Sequence, residues 1–147
     1  MKKRKLKIPG PIEWSGYLAD LDVRYAHKLF FGKSIAEIQH YFGGVRSIER
    51  ADELLFMPRQ AFQYYVFAFA NFVISEQANG DPDSASPFLR LLVAQEERDP
   101  GSVGQIYPEL LPTIEHVASN QRSYDADPNI YGRFQELAQK LEGLCTA

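Results

Sequence analysis

The sequence predicts an all-α fold: a single-domain bundle of six to seven helices around one central aromatic helix at about residues 58–77. Three observations predict it. Apolar residues recur at spacings of three and four along most of the chain, which places them on helical faces. The run Phe62-Gln-Tyr-Tyr-Val-Phe-Ala-Phe-Ala-Asn-Phe-Val-Ile74 gathers six of the eighteen Phe and Tyr residues within thirteen positions. No segment carries a sustained strand pattern; the brief alternation Phe67-Ala-Phe-Ala70 is outweighed by its alanines and by Pro58 ahead of it.

The aromatic run is uncharged from Ala61 to Ser75, between Arg59 and Glu76. A bilayer-spanning helix needs ~20 predominantly apolar residues, so this stretch reads as a buried core helix and no membrane association is expected. At 147 residues, 45% hydrophobic and 24% charged, the chain has the composition of one globular domain. It divides into a basic flexible tail, residues 1–12, and a helical domain, residues 13–147.

Taken in order, Trp14, Leu18, Leu21, Tyr25 and Leu29 share one face of a first helix ended by Gly32, with Asp20 and Arg24 placed to pair. Ser34-Ile-Ala-Glu37 fits a capping box, opening a short helix that buries Ile35, Ile38 and Phe42 and stops at Gly43-Gly44. Ser47 is placed to cap a third helix, with Leu54 and Leu55 inward. Pro58 opens the aromatic helix at its first position. Asn79 to Ser86 is turn chemistry, after which Ser86 caps and Pro87 opens a helix running to about Arg98. Another begins between Pro108 and Pro112 and uses Leu111, Ile114, Val117 and Ala118. In the last, Asp127 caps, Pro128 opens, Ile130, Phe134, Leu137, Leu141 and Leu144 form the stripe, and Gly143 is placed to end it.

Charge is distributed unevenly. Lys2, Lys3, Arg4, Lys5 and Lys7 crowd the first seven positions, whereas residues 8–147 carry eleven basic against nineteen acidic side chains. An acidic body disfavours nucleic acid, where phosphate contacts supply most of the affinity, and favours a basic protein. A single cysteine, Cys145, cannot form an internal disulfide, and the basic start runs into Ile8-Pro-Gly-Pro-Ile12 instead of an apolar stretch. A cytoplasmic location is expected from both.

No catalytic or metal-binding constellation emerges. His27, His40 and His116 are scattered, without the spacing of a zinc site. Asp125-x-Asp127-x-Asn129, with Glu136 at the twelfth place, echoes a calcium loop but puts Ile130 where that loop needs glycine. Glycine-rich phosphate loops and nucleophile elbows are missing. The expectation is therefore no enzyme, no cofactor and no metal.

The functional expectation is a protein-binding module that neutralises a basic partner by occlusion, as a bacterial immunity protein or antitoxin does. Its partner-binding carboxylates are expected at Asp81, Asp83, Glu96, Glu97, Asp99, Asp125 and Asp127, because charge-assisted bonds to lysine and arginine need such groups. Two alternatives come from other classes. Residues 34–50 read as a helix-turn-helix with the basic tail as an arm on DNA. Tyr64, Tyr65 and Asn71 are the polar members of the aromatic helix and would line a pocket in a small-ligand carrier.

Overall fold

The computed structural model describes residues 7–146. Among them every regular element is helical: α1 (Leu21–Phe30), α2 (Ile35–Ile38), α3 (Val45–Leu55), α4 (Arg59–Val73), α5 (Pro82–Arg98), α6 (Tyr107–Ser119), α7 (Pro128–Tyr131) and α8 (Phe134–Thr146), joined by short 3₁₀ turns. α2 and α7 are single turns, so the bundle rests on six longer helices. None is long and apolar enough to cross a membrane.

The centre of the bundle is α4. Eleven of its fifteen residues are buried, and Phe62, Tyr65 and Phe69 have no exposed surface. A helix apolar on nearly every side needs neighbours on every side, and α4 packs against α2, α3, α5 and α6. Phe69 stacks on Phe42 at 4.7 Å between ring centroids and meets Phe88 of α5 edge-on at 5.4 Å, both favoured aromatic geometries. Pro58 serves as the N-cap, one position before the helix proper.

The buried polar side chains of α4 are matched. The Tyr65 hydroxyl reaches the carbonyls of Phe30 (2.5 Å) and Lys33 (2.8 Å), the end of α1, and the Tyr64 hydroxyl accepts from the amide of Ile35 (3.1 Å). Gln63 donates to the carbonyl of Ser102 and the side chain of Gln105. Asn71 is exposed. The tyrosines thus act as core residues that fasten α1 and α2 to α4, and they do not line a cavity with Asn71.

The capping box at Ser34 is complete: Ser34 Oγ accepts from the Glu37 amide at 3.2 Å, and the Glu37 carboxylate accepts from the Ser34 amide at 2.9 Å.

Several boundaries depart from the sequence reading, each for a local reason. Asp20 does not pair with Arg24; its carboxylate accepts from the amides of Asp22 and Val23, so α1 starts only at Leu21. Leu18, Leu21 and Tyr25 point to solvent, while Trp14, Ala26 and Phe30 are buried. Ser47 lies inside α3, whose N-cap is Gly44 at a left-handed φ of 53°. Likewise α5 opens at Pro82, so Ser86 and Pro87 lie within it. Pro87 falls on the second turn, where its missing amide interrupts one bond of a helix held by neighbours.

The C-terminal stripe is split. Gly132 adopts φ 75° after α7, and α8 starts afresh at Phe134. Ile130 is 73% exposed, and Gly143 lies within α8 instead of ending it. At the other end Pro9 is buried and the Gly10 amide donates to Glu13 at 2.6 Å. The packed chain therefore begins before residue 13, and residues 1–6, which carry most of the basic tail, lie outside the described residues.

Candidate functional site: an acidic groove between α1 and α3

The seven carboxylates expected to meet a partner do not form one surface. Asp81 accepts from the Gly44 amide (2.9 Å) and from Ser84 Oγ (2.6 Å), tying α3 to the start of α5. Asp83 accepts from the Tyr131 hydroxyl at 3.1 Å. Glu96 is buried, its two oxygens accepting from the amides of Gly101 (2.7 Å), Val103 (2.9 Å) and Gly104 (2.9 Å). Asp99 is gripped by Arg59. These four are occupied within the fold. Glu97, 3.6 Å from Lys140, and Asp125 and Asp127 are exposed, on two separate elements. Asp127 is partly used as the cap of α7, accepting from Asn129 at 2.9 Å.

A different set of acids does converge. α1 and α3 lie side by side, and between them runs a groove of about 300 Å³ lined by Asp22, Tyr25, Glu49, Asp52, Glu53 and Phe56. Asp22 and Tyr25 stand three apart on α1; Glu49, Asp52, Glu53 and Phe56 follow the three-four rhythm on α3. The periodicity that would have shown this set was legible, but nothing in sequence said that α1 and α3 are neighbours.

The Arg50 guanidinium pairs with two of these carboxylates, Glu53 at 2.6 Å and Glu49 at 3.3 Å. Glu53 is buried, and desolvation holds its carboxyl above the ordinary value despite the opposing pull of Arg50. Asp22 and Asp52 are exposed. Four lining carboxylates outnumber the Arg50 guanidinium and that of Arg98 above Phe56 at one end, which leaves the groove negative.

The elements that form it also expose apolar side chains. Leu18, Leu21 and Tyr25 are 67%, 76% and 53% exposed along α1 and its leading turn. On α3, Val45 and Ile48 precede Glu49 and Asp52 on one exposed face. Phe56 at the end of α3 carries the Arg98 guanidinium 5.1 Å above its ring, a cation–π contact. Exposed apolar side chains beside a charged groove have the make-up of a protein-binding surface.

Residues 34–50 do form two helical pieces, but the outer face of α3 presents Val45, Ile48, Glu49 and Asp52. Those carboxylates would repel phosphate, and Arg46 is turned back onto the carbonyls of His40 and Phe42.

Nucleophile chemistry finds little footing. The chain of hydroxyls Ser47–Ser84–Asp81 is closely bonded, 2.6 Å at each link, yet both serines are fully buried and no substrate reaches them. Burial, then the charge of Glu96, pushes the Cys145 thiol up to about 11, away from the reactive thiolate. No group of three or more metal-ligating side chains occurs among the described residues.

Comparison with protein-family models, with curated proteins and with solved structures returns no match to this chain.

Proposed function

We propose that this protein is a non-enzymatic binding module that takes up a basic face of another protein in the α1–α3 groove and occludes it, in the manner of an immunity protein or antitoxin. The observation that carries the reading is the convergence of Asp22, Glu49, Asp52 and Glu53 with Tyr25 and Phe56 on one groove, while Leu21 and Ile48 are exposed on the same two helices. Exposed carboxylates steer a basic partner and fix its register, while the exposed apolar side chains supply the desolvated contacts that hold it. The acidic balance of residues 8–147 acts in the same direction at longer range.

Lysine and arginine residues clustered at an active-site mouth, as in an enzyme that handles a phosphodiester, are the chemistry this groove complements. The test uses capture on the immobilised protein, identification of the captured partner, and titration of the partner's activity with the free module. Glu49→Lys combined with Asp52→Lys reverses the exposed charge without entering the core. It should weaken binding by about tenfold or more and restore the partner's activity. A partner bound equally well by that variant, or one left fully active by the wild type, would overturn the reading.

A further inference from the structure

A second groove lies on another side of the bundle, between α6 and α8. α8 buries Phe134 and Leu141 toward the core, which leaves Gln135, Ala138, Glu142 and Thr146 as a separate stripe turned toward α6. From α6, Tyr107, Leu111, Ile114 and Ala118 meet it at spacings of four, three and four. The small side chains Ala118 and Ala138 are among those that line a trough of about 420 Å³. That volume falls within the usual range of small-molecule sites. The Gln135 side chain donates to the Ala118 carbonyl at 3.1 Å and spans the two helices at one end.

Two features of this groove lack a counterpart inside the protein. Tyr107 is more than nine-tenths buried, yet its hydroxyl lines the groove and has no hydrogen-bond partner among the described residues. The ring is enclosed, but the hydroxyl is not sealed in the core, so a ligand in the groove can reach it. Glu142 and Glu115 stand on the two walls with no ion-pair partner among the described residues. Burial first, then Glu142, then Cys145 and, most weakly, Glu115 hold Tyr107 above the ordinary phenol range. The floor of Leu111, Ile114, Ala118 and Ala138 is apolar.

We propose that this groove binds a small protonated amine with an apolar body, its ammonium held by Glu142 and Glu115 against the Tyr107 hydroxyl and its hydrocarbon laid along the floor. An ammonium offers three N–H donors, which the two carboxylates and the phenol oxygen accept. Carboxylate ligands would meet the charge of Glu142, and a neutral alcohol would forgo the charge-assisted bonds. The site is separate from the α1–α3 groove and does not depend on it.

The full chain, labelled with ¹⁵N, is titrated with n-hexylamine, 1-hexanol and hexanoate at fixed ionic strength while the backbone amides are followed by NMR. Saturable shifts confined to α6 and α8, centred on Ala118 and Ala138, are expected for hexylamine, with binding at least about tenfold weaker for the other two. Glu142→Gln should weaken hexylamine by about tenfold and Tyr107→Phe by about threefold or more, both conservative changes that keep the packing. Glu136→Gln, exposed on α8 outside the groove, serves as the control for general attraction to an acidic protein and should leave binding unchanged. The proposal falls if hexanol binds as well as hexylamine, if Glu142→Gln and Glu136→Gln lose equally, if the shifts map to α1 and α3, or if no saturable shift appears up to about 10 mM.

Discussion

Arg59 grips Asp99 through two parallel hydrogen bonds, 2.9 Å from Nε and 2.6 Å from a terminal nitrogen, across forty residues of sequence. The same guanidinium donates to the carbonyl of Pro100 at 2.8 Å. The start of α4 is thereby fastened to the turn that leaves α5. Hydrogen bonds from Arg59, followed by the charges of Arg59 and Arg98, hold the Asp99 carboxyl below its ordinary value against the opposing effect of desolvation. A depressed carboxylate stabilises above its unfolded-state value and loses that contribution as pH falls through the lower folded value. Asp99→Asn should therefore melt lower than wild type at neutral pH, with the gap closing as pH falls below about 3.9. Both side chains are more than a third exposed, so added salt should also narrow the gap. A gap unchanged by acid and salt would contradict this assignment.

Glu96 holds the loop after α5 from within, accepting three backbone amides with one carboxylate. Replacement by glutamine keeps the shape but turns one acceptor oxygen into a donor facing amides. The expected loss is about 2 kcal/mol, the scale of a buried bond to a charged group left unsatisfied. Urea unfolding measures it. Hydrogen exchange at Gly101, Val103 and Gly104 should accelerate ahead of exchange in α4.

Removal of a single hydroxyl should loosen α1 from the core. In Tyr65→Phe the carbonyls of Phe30 and Lys33 lose a fully buried donor, with an expected destabilisation of about 1–3 kcal/mol. Tyr124, whose hydroxyl donates to the Val73 carbonyl at 2.6 Å and which burial pushes up to about 12, gives a comparison at the other end of α4. Denaturant titrations of the two phenylalanine variants should shift their midpoints without changing the slope.

His27 offers an optical readout of the N-terminal packing. Its ring is stacked between Tyr17 (3.7 Å) and Phe31 (4.4 Å), with Trp14, the only tryptophan, edge-on at 5.2 Å. Desolvation lowers its pKa below the ordinary 6.5. Because the neutral form is favoured in the folded state, this contribution to stability is complete above 6.5 and fades as pH falls through the lower folded value. An imidazolium quenches a neighbouring indole, so Trp14 fluorescence should drop on acidification with a midpoint below 6.5. His27→Gln should abolish that transition; its persistence would assign the quenching to another group.

The helical bundle and its centre were legible in sequence because α4 carries its reason locally. Fifteen residues with apolar side chains on nearly all sides and no interior charge have no stable place except the middle of a helical fold. The capping box at Ser34 is equally local, since both of its bonds lie within four residues. The break between α7 and α8 is not. The stripe from Ile130 to Leu144 is that of one helix, yet Gln121, from the preceding 3₁₀ turn, substitutes for the missing helical bonds. Its amide donates to the carbonyls of Ala126 (2.9 Å) and Gly132 (2.8 Å) and its oxygen accepts from the Phe134 amide (2.8 Å).

Site residues divide in the same way. Acidity alone marked Asp81, Glu96 and Asp99 as free for a partner, but distant groups within the fold engage them: the Gly44 amide, the loop at 101–104 and Arg59. Composition, charge balance and the amphipathic rhythm of each helix were determined by the sequence, because they depend on neighbours within one or two turns. Which carboxylates are occupied, and that Asp22 faces Glu49 across a groove, was decided by tertiary structure. Pairing between helices depends on how whole faces pack, and no local spacing encodes it.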